Sequence, residues 1–214
     1  MSAPAETVPT PAPAPGRTPR GRWIFLGVTL AVALLDLGTK AWAFSALGGR
    51  IVEVWELRDG SVTDRPRPDG DPEVVRHVPI VHAEREATVI PGCFHIHLSL
   101  NTGAVFGILQ GRTLQVMALT LVALAMIAWM VFSADPRRTW LHVAMGCVCG
   151  GALGNLWDRA CYGAVRDFIH WFIGSHVWPT FNIADAALVV GIALILLLEW
   201  RTPKPAAAGA PARG

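Results

Sequence analysis

The chain has 214 residues, 52% of them apolar and 16% charged, with a net charge of +2 and a mean hydropathy of +0.41. Average soluble domains carry about a quarter charged residues, and here the apolar residues are bunched into long runs rather than spread at core periodicity. The composition points to a polytopic membrane protein of one domain. The small net charge, with no basic stripe interleaved with aromatics, argues against a nucleic-acid partner.

Residues 1–20 open with a Pro/Ala/Thr-rich stretch without periodicity and read as a disordered tail, as do residues 203–214. The first apolar span runs from about Trp23 to Phe44. Its basic lead (Arg17, Arg20, Arg22) and the small residues of "AWAFSA" would suit a cleaved signal peptide. The run is longer than an h-region of ~7–15 residues, and Asp36 and Lys40 interrupt its outer end, so a retained helix is expected.

A long connection follows. "IVEVWEL" (Ile51–Leu57) is β-prone, and "CFHIHLSLN" (Cys93–Asn101) alternates apolar and polar residues. Between them "RDGSVTDRPRPDGDPE" is turn-rich and reads as a mobile excursion. These segments predict a small β-sheet on the outer membrane surface.

Three further spans are expected at Leu114–Phe132, about Leu141–Leu156 and Ile183–Leu198. The last two fall slightly short of the ~20 residues a bilayer core requires, and Trp140, Trp157, Phe181 and Trp200 can extend them as interfacial anchors. "DFIHWFIGSHVW", between the third and fourth spans, has the aromatic composition of an interfacial segment. Arg17, Arg20 and Arg22, then Arg137 and Arg138, then Arg201 and Lys204 all fall on one side of this four-span arrangement. That side is expected to be cytoplasmic, with both termini inside.

Polar residues gather at the outer ends of the spans: Asp36, Lys40, Asn101, Asn155, Asp158, Arg159, Asp167, Asn182 and Asp185. Charge on separate elements at one depth suggests a shared polar site. Asp36 and Lys40 are four apart and can pair on one helix face, as a structural ion pair. Asp158 and Arg159 are adjacent and point in different directions, toward scaffolding or, for Arg159, toward a substrate carbonyl or lipid head group. Asp167 and Asp185 have no cation at helical spacing. Two carboxylates in a partly desolvated site split into an acid and a base, which suits water attack on an amide. Spacing alone leaves catalysis, ion conduction and plain structural polarity open.

No H-E-x-x-H helix is present, His95 and His97 form only an H-x-H on a strand, and "GGALGN" lacks the Lys-Ser/Thr of a phosphate loop. Cys93, Cys147, Cys149 and Cys161 form no secreted disulfide framework or matched metal-ligand pairs. No metal or cofactor is expected.

"DLGTKAWA" (Asp36–Ala43), "NTGAVFG" (Asn101–Gly107), "GGALGNLWDRACYGAVRDFIHW" (Gly150–Trp171) and "FNIADAALVVG" (Phe181–Gly191) together resemble the lipoprotein signal peptidase (signal peptidase II) family. The resemblance implies a mainly α membrane fold: a four-transmembrane-helix bundle with a small extracytoplasmic β-cradle between helices 1 and 2. It places a peptidase domain over residues 21–202, with the cradle and its insertion at about 48–101. It implies a multi-pass protein of the bacterial inner membrane with its active site on the extracytoplasmic side. It further implies an aspartyl endopeptidase that cleaves diacylglyceryl-modified prolipoproteins on the amino side of the lipidated Cys. The implied catalytic pair is Asp167 and Asp185, supported by Asp36, Lys40, Asn101, Asn155, Asp158, Arg159 and Asn182. Membrane lipid and globomycin-type inhibitors are the other implied partners.

Two departures stand out. Val105 occupies a position where the family usually has Ala, and the segment around 58–87 is longer than usual. The readings that compete with a peptidase are a catalytically inactive lipopeptide-binding homologue and a small ion transporter. The transporter would distribute its acids through the membrane depth or show an inverted repeat, and neither is visible in the sequence.

Overall fold

The computed structural model describes residues 20–59, 61–63, 65, 71–103 and 111–201. Most of the two expected tails, much of the turn-rich excursion and Val105 lie outside the described residues. In chain order the elements are α1 (Arg20–Ala46), β1 (Arg50–Leu57), β2 (Val62–Thr63), β3 (Val74–His82), β4 (Ala87–Ile90) and β5 (Phe94–Asn101). Then come α2 (Thr113–Ser133), α3 (Thr139–Tyr162), β6 (Val165–Ile173), β7 (His176–Val177) and α4 (Ile183–Arg201).

The helices are inverted relative to those of a soluble protein. On α1 the exposed side chains include Trp23, Leu30 and Leu34, while the buried set includes Thr29, Asp36 and Lys40. Apolar surface facing outward costs nothing in lipid, and polar groups must turn inward to find partners. By length and composition α1, α2 and α4 can each cross a membrane.

The third predicted span corresponds to α3, whose 24 residues also exceed the required length. Its glycines and its Asn155, Asp158 and Arg159 dilute its apolar character. It instead packs against all three other helices. Small residues permit this. A Cβ on Gly150 would lie 2.7 Å from the Thr29 carbonyl oxygen of α1, and one on Gly151 would lie 2.5 Å from the Ala184 carbonyl oxygen of α4. Both distances are shorter than real Cβ contacts, so α3 approaches each neighbour at backbone depth. That approach brings its polar C-terminal turns against α1 and α4. The helix ends at Gly163, with φ 69°, whose N–H caps the Arg159 carbonyl.

The strands expected in "IVEVWEL" and "CFHIHLSLN" are present as β1 and β5. The sheet arrangement differs from the expected one. Strands β2-β1-β3 form one antiparallel sheet, and β4-β5-β6-β7 form a second. The second sheet therefore draws half of its strands from the connection after α3 rather than from the segment between α1 and α2. "DFIHWFIGSHVW" lies mostly in β6 and β7, joined through Gly174 at φ 59°. The first four residues of β6 are all buried, so the alternation that marks a half-exposed strand is lost. Strand β3 also escaped the sequence reading because Pro79 interrupts "VVRHVPIVH"; Pro79 pairs opposite Glu53 in β1.

Under the sheet, Ala43 and Phe44 from α1 and Leu47 just after it pack with Leu98 and Phe168 in one apolar cluster. This cluster fixes the second sheet over the C-terminal end of α1 and places β6 directly beside the polar ends of the helices.

Candidate active site

Strand β6 carries Asp167 into the polar cluster. Its neighbour β5 sets Ser99 opposite Asp167 and Asn101 opposite Val165. The Ile169–Phe181 bridge then ties β6 to the chain entering α4.

Asn182 and Asp185 open α4 as a reciprocal cap. The Asp185 N–H donates to Asn182 Oδ1 at 3.0 Å, and the Asn182 N–H donates to Asp185 Oδ2 at 3.3 Å. This is the capping-box arrangement with Asn and Asp in place of the usual Ser/Thr and Glu. The three-residue spacing of Asn182 and Asp185 is the one such a box uses, a signal the sequence reading did not take up. The cap leaves the Asn182 side-chain N–H₂ free to reach elsewhere. It donates to Asp167 Oδ1 at 2.6 Å and to Asn155 Oδ1 at 3.2 Å. Asn155 in turn donates to Asp185 Oδ1 at 2.8 Å. Asn182 thus holds both aspartates, Asp167 through its side-chain amide and Asp185 through its backbone N–H, while the Asn155 amide holds Asp185.

Beneath the amides lies a buried ionic cluster. Lys40 Nζ sits 2.7 Å from Asp36 Oδ2, 3.0 Å from Asn155 Oδ1 and 3.3 Å from Asp158 Oδ2. The expected Asp36–Lys40 pair is present, and both side chains are fully buried. Asp36 also reaches α4, where its Oδ1 accepts the Ala184 N–H of the first turn at 2.9 Å. Asp158 and Arg159 do face different partners. Asp158 meets Lys40 and Arg166, while Arg159 donates to the Gly103 carbonyl at 2.6 Å and to the Asn155 carbonyl at 3.4 Å. Asn101 hydrogen-bonds Asp167 and accepts the Gly103 N–H at 3.0 Å.

The two carboxyl groups occupy unequal surroundings. Asp167 is 2% exposed, whereas Asp185 is half-buried. Burial, reinforced by the neighbouring Asp185 charge, pushes the Asp167 carboxyl from the ordinary 3.8 up to about 8. Hydrogen bonds from Asn182 and Asn101 and the Lys40 charge oppose that rise without cancelling it. Asp185 lies in the first turn of α4, at the positive end of the helix dipole, and accepts from both the Asn182 N–H and the Asn155 amide. One site therefore sets a proton-holding carboxyl beside a second carboxyl that is fully engaged as an acceptor.

The structure brings every site residue expected from sequence into this one network. Sequence reasoning passed over one residue, Arg166. Its guanidinium holds Asp158 Oδ1 at 2.8 Å through NH2, and its backbone N–H donates to Asp158 Oδ2 at 2.9 Å. The available signal was the helix-ending Gly163 between them, which folds the chain back.

A model of the family described as signal peptidase (SPase) II matches residues 73–201. The chain belongs to the signal peptidase II family. It is 32% identical to a lipoprotein signal peptidase of Sulfurihydrogenibium sp. (strain YO3AOP1), over 82% of this chain and 90% of that one. It is 32% identical to the lipoprotein signal peptidase of Xylella fastidiosa (strain 9a5c), over 82% and 89%. The Rhodopirellula baltica lipoprotein signal peptidase is 31% identical, over 91% of this chain and 81% of its own. A solved structure described as a bacterial membrane enzyme superposes with a TM-score of 0.61 at 24% identity, covering 86% of this chain and 94% of that one. As a signal peptidase II, the protein is a membrane protease of lipoprotein processing. The family match begins just before β3, so β1 and β2 lie outside it.

Proposed function

We propose that this signal peptidase II is an intramembrane aspartyl endopeptidase that cleaves diacylglyceryl-modified prolipoproteins on the amino side of the lipidated Cys. The observation that carries the proposal is the pairing of Asp167 and Asp185 through Asn182 and Asn155, with Asp167 held as the acid. Asp185, as the carboxylate, takes a proton from a water lying between the two groups. Asp167 donates a hydrogen bond to the scissile carbonyl as the water attacks. The Asp167 proton passes to that oxygen to give a tetrahedral gem-diol; as this collapses, the proton held by Asp185 passes to the leaving amine and one diol hydroxyl returns its proton to Asp167. Arg159 and Asn101, at the edge of the pair, hold substrate backbone. Asp36, Lys40 and Asp158 lie beneath and fix the helices that carry the amides.

The proposed disposition has four membrane-crossing helices, α3 being the one shielded by the rest, in a peptidase domain over residues 21–202. Both termini are cytoplasmic in the bacterial inner membrane, and the dyad lies at the extracytoplasmic ends of the helices. The basic residues at the start of α1, between α2 and α3, and at the end of α4 support this orientation. The clustering of buried acids at the opposite end favours a single site over an ion path through the membrane depth. The substrate's acyl chains would lie along the outward apolar faces of the helices.

The deciding experiment uses purified protein in detergent with a diacylated signal-peptide substrate, with and without globomycin. Parental protein should release the signal peptide and globomycin should block it. Asp167→Asn and Asp185→Asn should each lower the rate by about 10²–10⁴-fold, the usual contribution of a positioned acid or base. Normal folding with undiminished cleavage in either variant would rule out the dyad. A parental protein that binds the lipopeptide without cleaving it would point to an inactive binding homologue.

A further inference from the structure

We infer that Arg166 is a positioning residue for the proteolytic site, clamping the Asp167 segment of β6 to α3 and balancing the charge beneath the dyad. The inference rests on the aspartyl reading above and adds a residue to it. Three observations lead to it.

The first is geometric. Arg166 precedes Asp167 in the chain, and both its main chain and its side chain are anchored on one carboxylate. Its N–H donates to Asp158 Oδ2 at 2.9 Å, its Nε lies 3.2 Å from Oδ1, and its NH2 lies 2.8 Å from Oδ1. A fork of this kind defines orientation as well as distance, which a point charge cannot do. The backbone that sets the direction of Asp167 is therefore fixed one residue away by a group on a different element.

The second is packing. The Arg166 guanidinium carbon lies 4.6 Å from the Tyr162 ring centroid and 5.7 Å from that of Phe44. Tyr162 ends α3 and Phe44 lies near the end of α1. The side chain is 9% exposed. It joins three elements at the point where the sheet meets the helices, and its planar cation suits aromatic faces.

The third is charge. Asp36 and Asp158 are fully buried, and Lys40 lies within ion-pair distance of both. One lysine cannot balance two carboxylates; Arg166 supplies the second cation. Without it, Asp158 would compete with Asp36 and Asn155 for Lys40, and Asn155 is the amide that holds Asp185. The site would also carry one more unbalanced negative charge. The charged groups acting on Asp167 are Lys40 from α1, Arg159 from α3 and Asp185 from α4, with Asp158 reaching it through Lys40 and Arg166.

The test compares parental protein, Arg166→Lys and Arg166→Met for cleavage of the diacylated substrate across pH 5 to 10 (roughly the titration range of such pairs). Thermal stability and KM are measured for each. Arg166→Lys keeps the charge and loses the fork, so kcat should fall about tenfold or more with KM within about twofold, and the pH profile should stay in place. Arg166→Met also loses the charge, so its basic limb should in addition move up by about one pH unit. Unchanged kcat in both variants would overturn the inference, as would losses matching the loss of folded protein. A profile that fails to separate Met from Lys would overturn the charge-balancing role. If the parental protein cleaves nothing, the aspartyl reading itself has failed, and the Arg166 assignment falls with it.

Discussion

The Asn182 side-chain nitrogen lies 2.6 Å from Asp167 Oδ1, while the same residue caps α4 in exchange with Asp185. One short amide thus sets the spacing between a strand acid and a helix acid. Asn182→Ala removes the cap, worth about 1 kcal/mol of stability, and also the bridge. The expected result is a small drop in thermal stability with a loss of activity far larger than that drop explains. Melting in detergent alongside initial rates checks this; activity falling only in step with stability would reduce Asn182 to a cap.

The pH dependence follows from Asp167. Its carboxyl is raised from the ordinary 3.8 to about 8, so between those values the folded protein holds a proton that the unfolded chain releases. The stability associated with this group is therefore complete below about pH 4 and is lost progressively as pH rises toward 8. Catalysis needs that proton, so log(kcat/KM) should decline on its basic side with a midpoint near 8. A pH–rate profile that remains flat to pH 10 (about two units past that midpoint) would contradict the assignment of Asp167 as the acid.

Asp36→Asn tests the foundation rather than the chemistry. The buried carboxylate pairs with Lys40 and accepts the Ala184 N–H. Removing one partner of a buried pair costs about 3–5 kcal/mol, though Asp158 and Asn155 remain for Lys40. The expected enzyme cleaves at close to parental rate at low temperature and inactivates at a lower one. A heat-stable variant with poor kcat would instead place Asp36 among the groups that tune the dyad.

Gly154→Ala tests the close packing of α3. A Cβ there would collide with the Asp36 carboxylate at Oδ2, which cannot retreat without releasing Lys40 or Ala184. The substitution should destabilise by about 1–3 kcal/mol, the usual cost of overpacking, and lower activity as well. Gly27→Ala, where nothing lies within 4 Å of the added atom, is the control and should behave as parental protein.

Much of this arrangement is legible in the chain. The apolar runs correspond to α1, α2, α3 and α4 with ends shifted by a few residues, the largest shift being at Tyr162, where α3 continues through Asn155, Asp158 and Arg159. Polar side chains do not stop a helix whose neighbours supply their partners, so hydropathy alone ended the span too early. The same residues betrayed the site, since charge at one depth in lipid demands mutual satisfaction. The pairing of Asp36 with Lys40 was read from helical spacing, because helix geometry makes that contact local; the exchange between Asn182 and Asp185 is equally local but was not read.

Contacts between distant segments could not be read this way. Asp36 meeting Ala184, Asn155 meeting Asp185, and Arg166 folding back onto Asp158 depend on how closely the helices approach and where β6 enters its sheet. Strand β6 itself was hidden because burial on both faces erases the two-residue alternation. By itself the sequence determined which residues lipid would force together. Only the tertiary structure decided which of them touch, because the glycines of α3 bring backbones within contact and one amide, Asn182, then links Asp167 to Asp185.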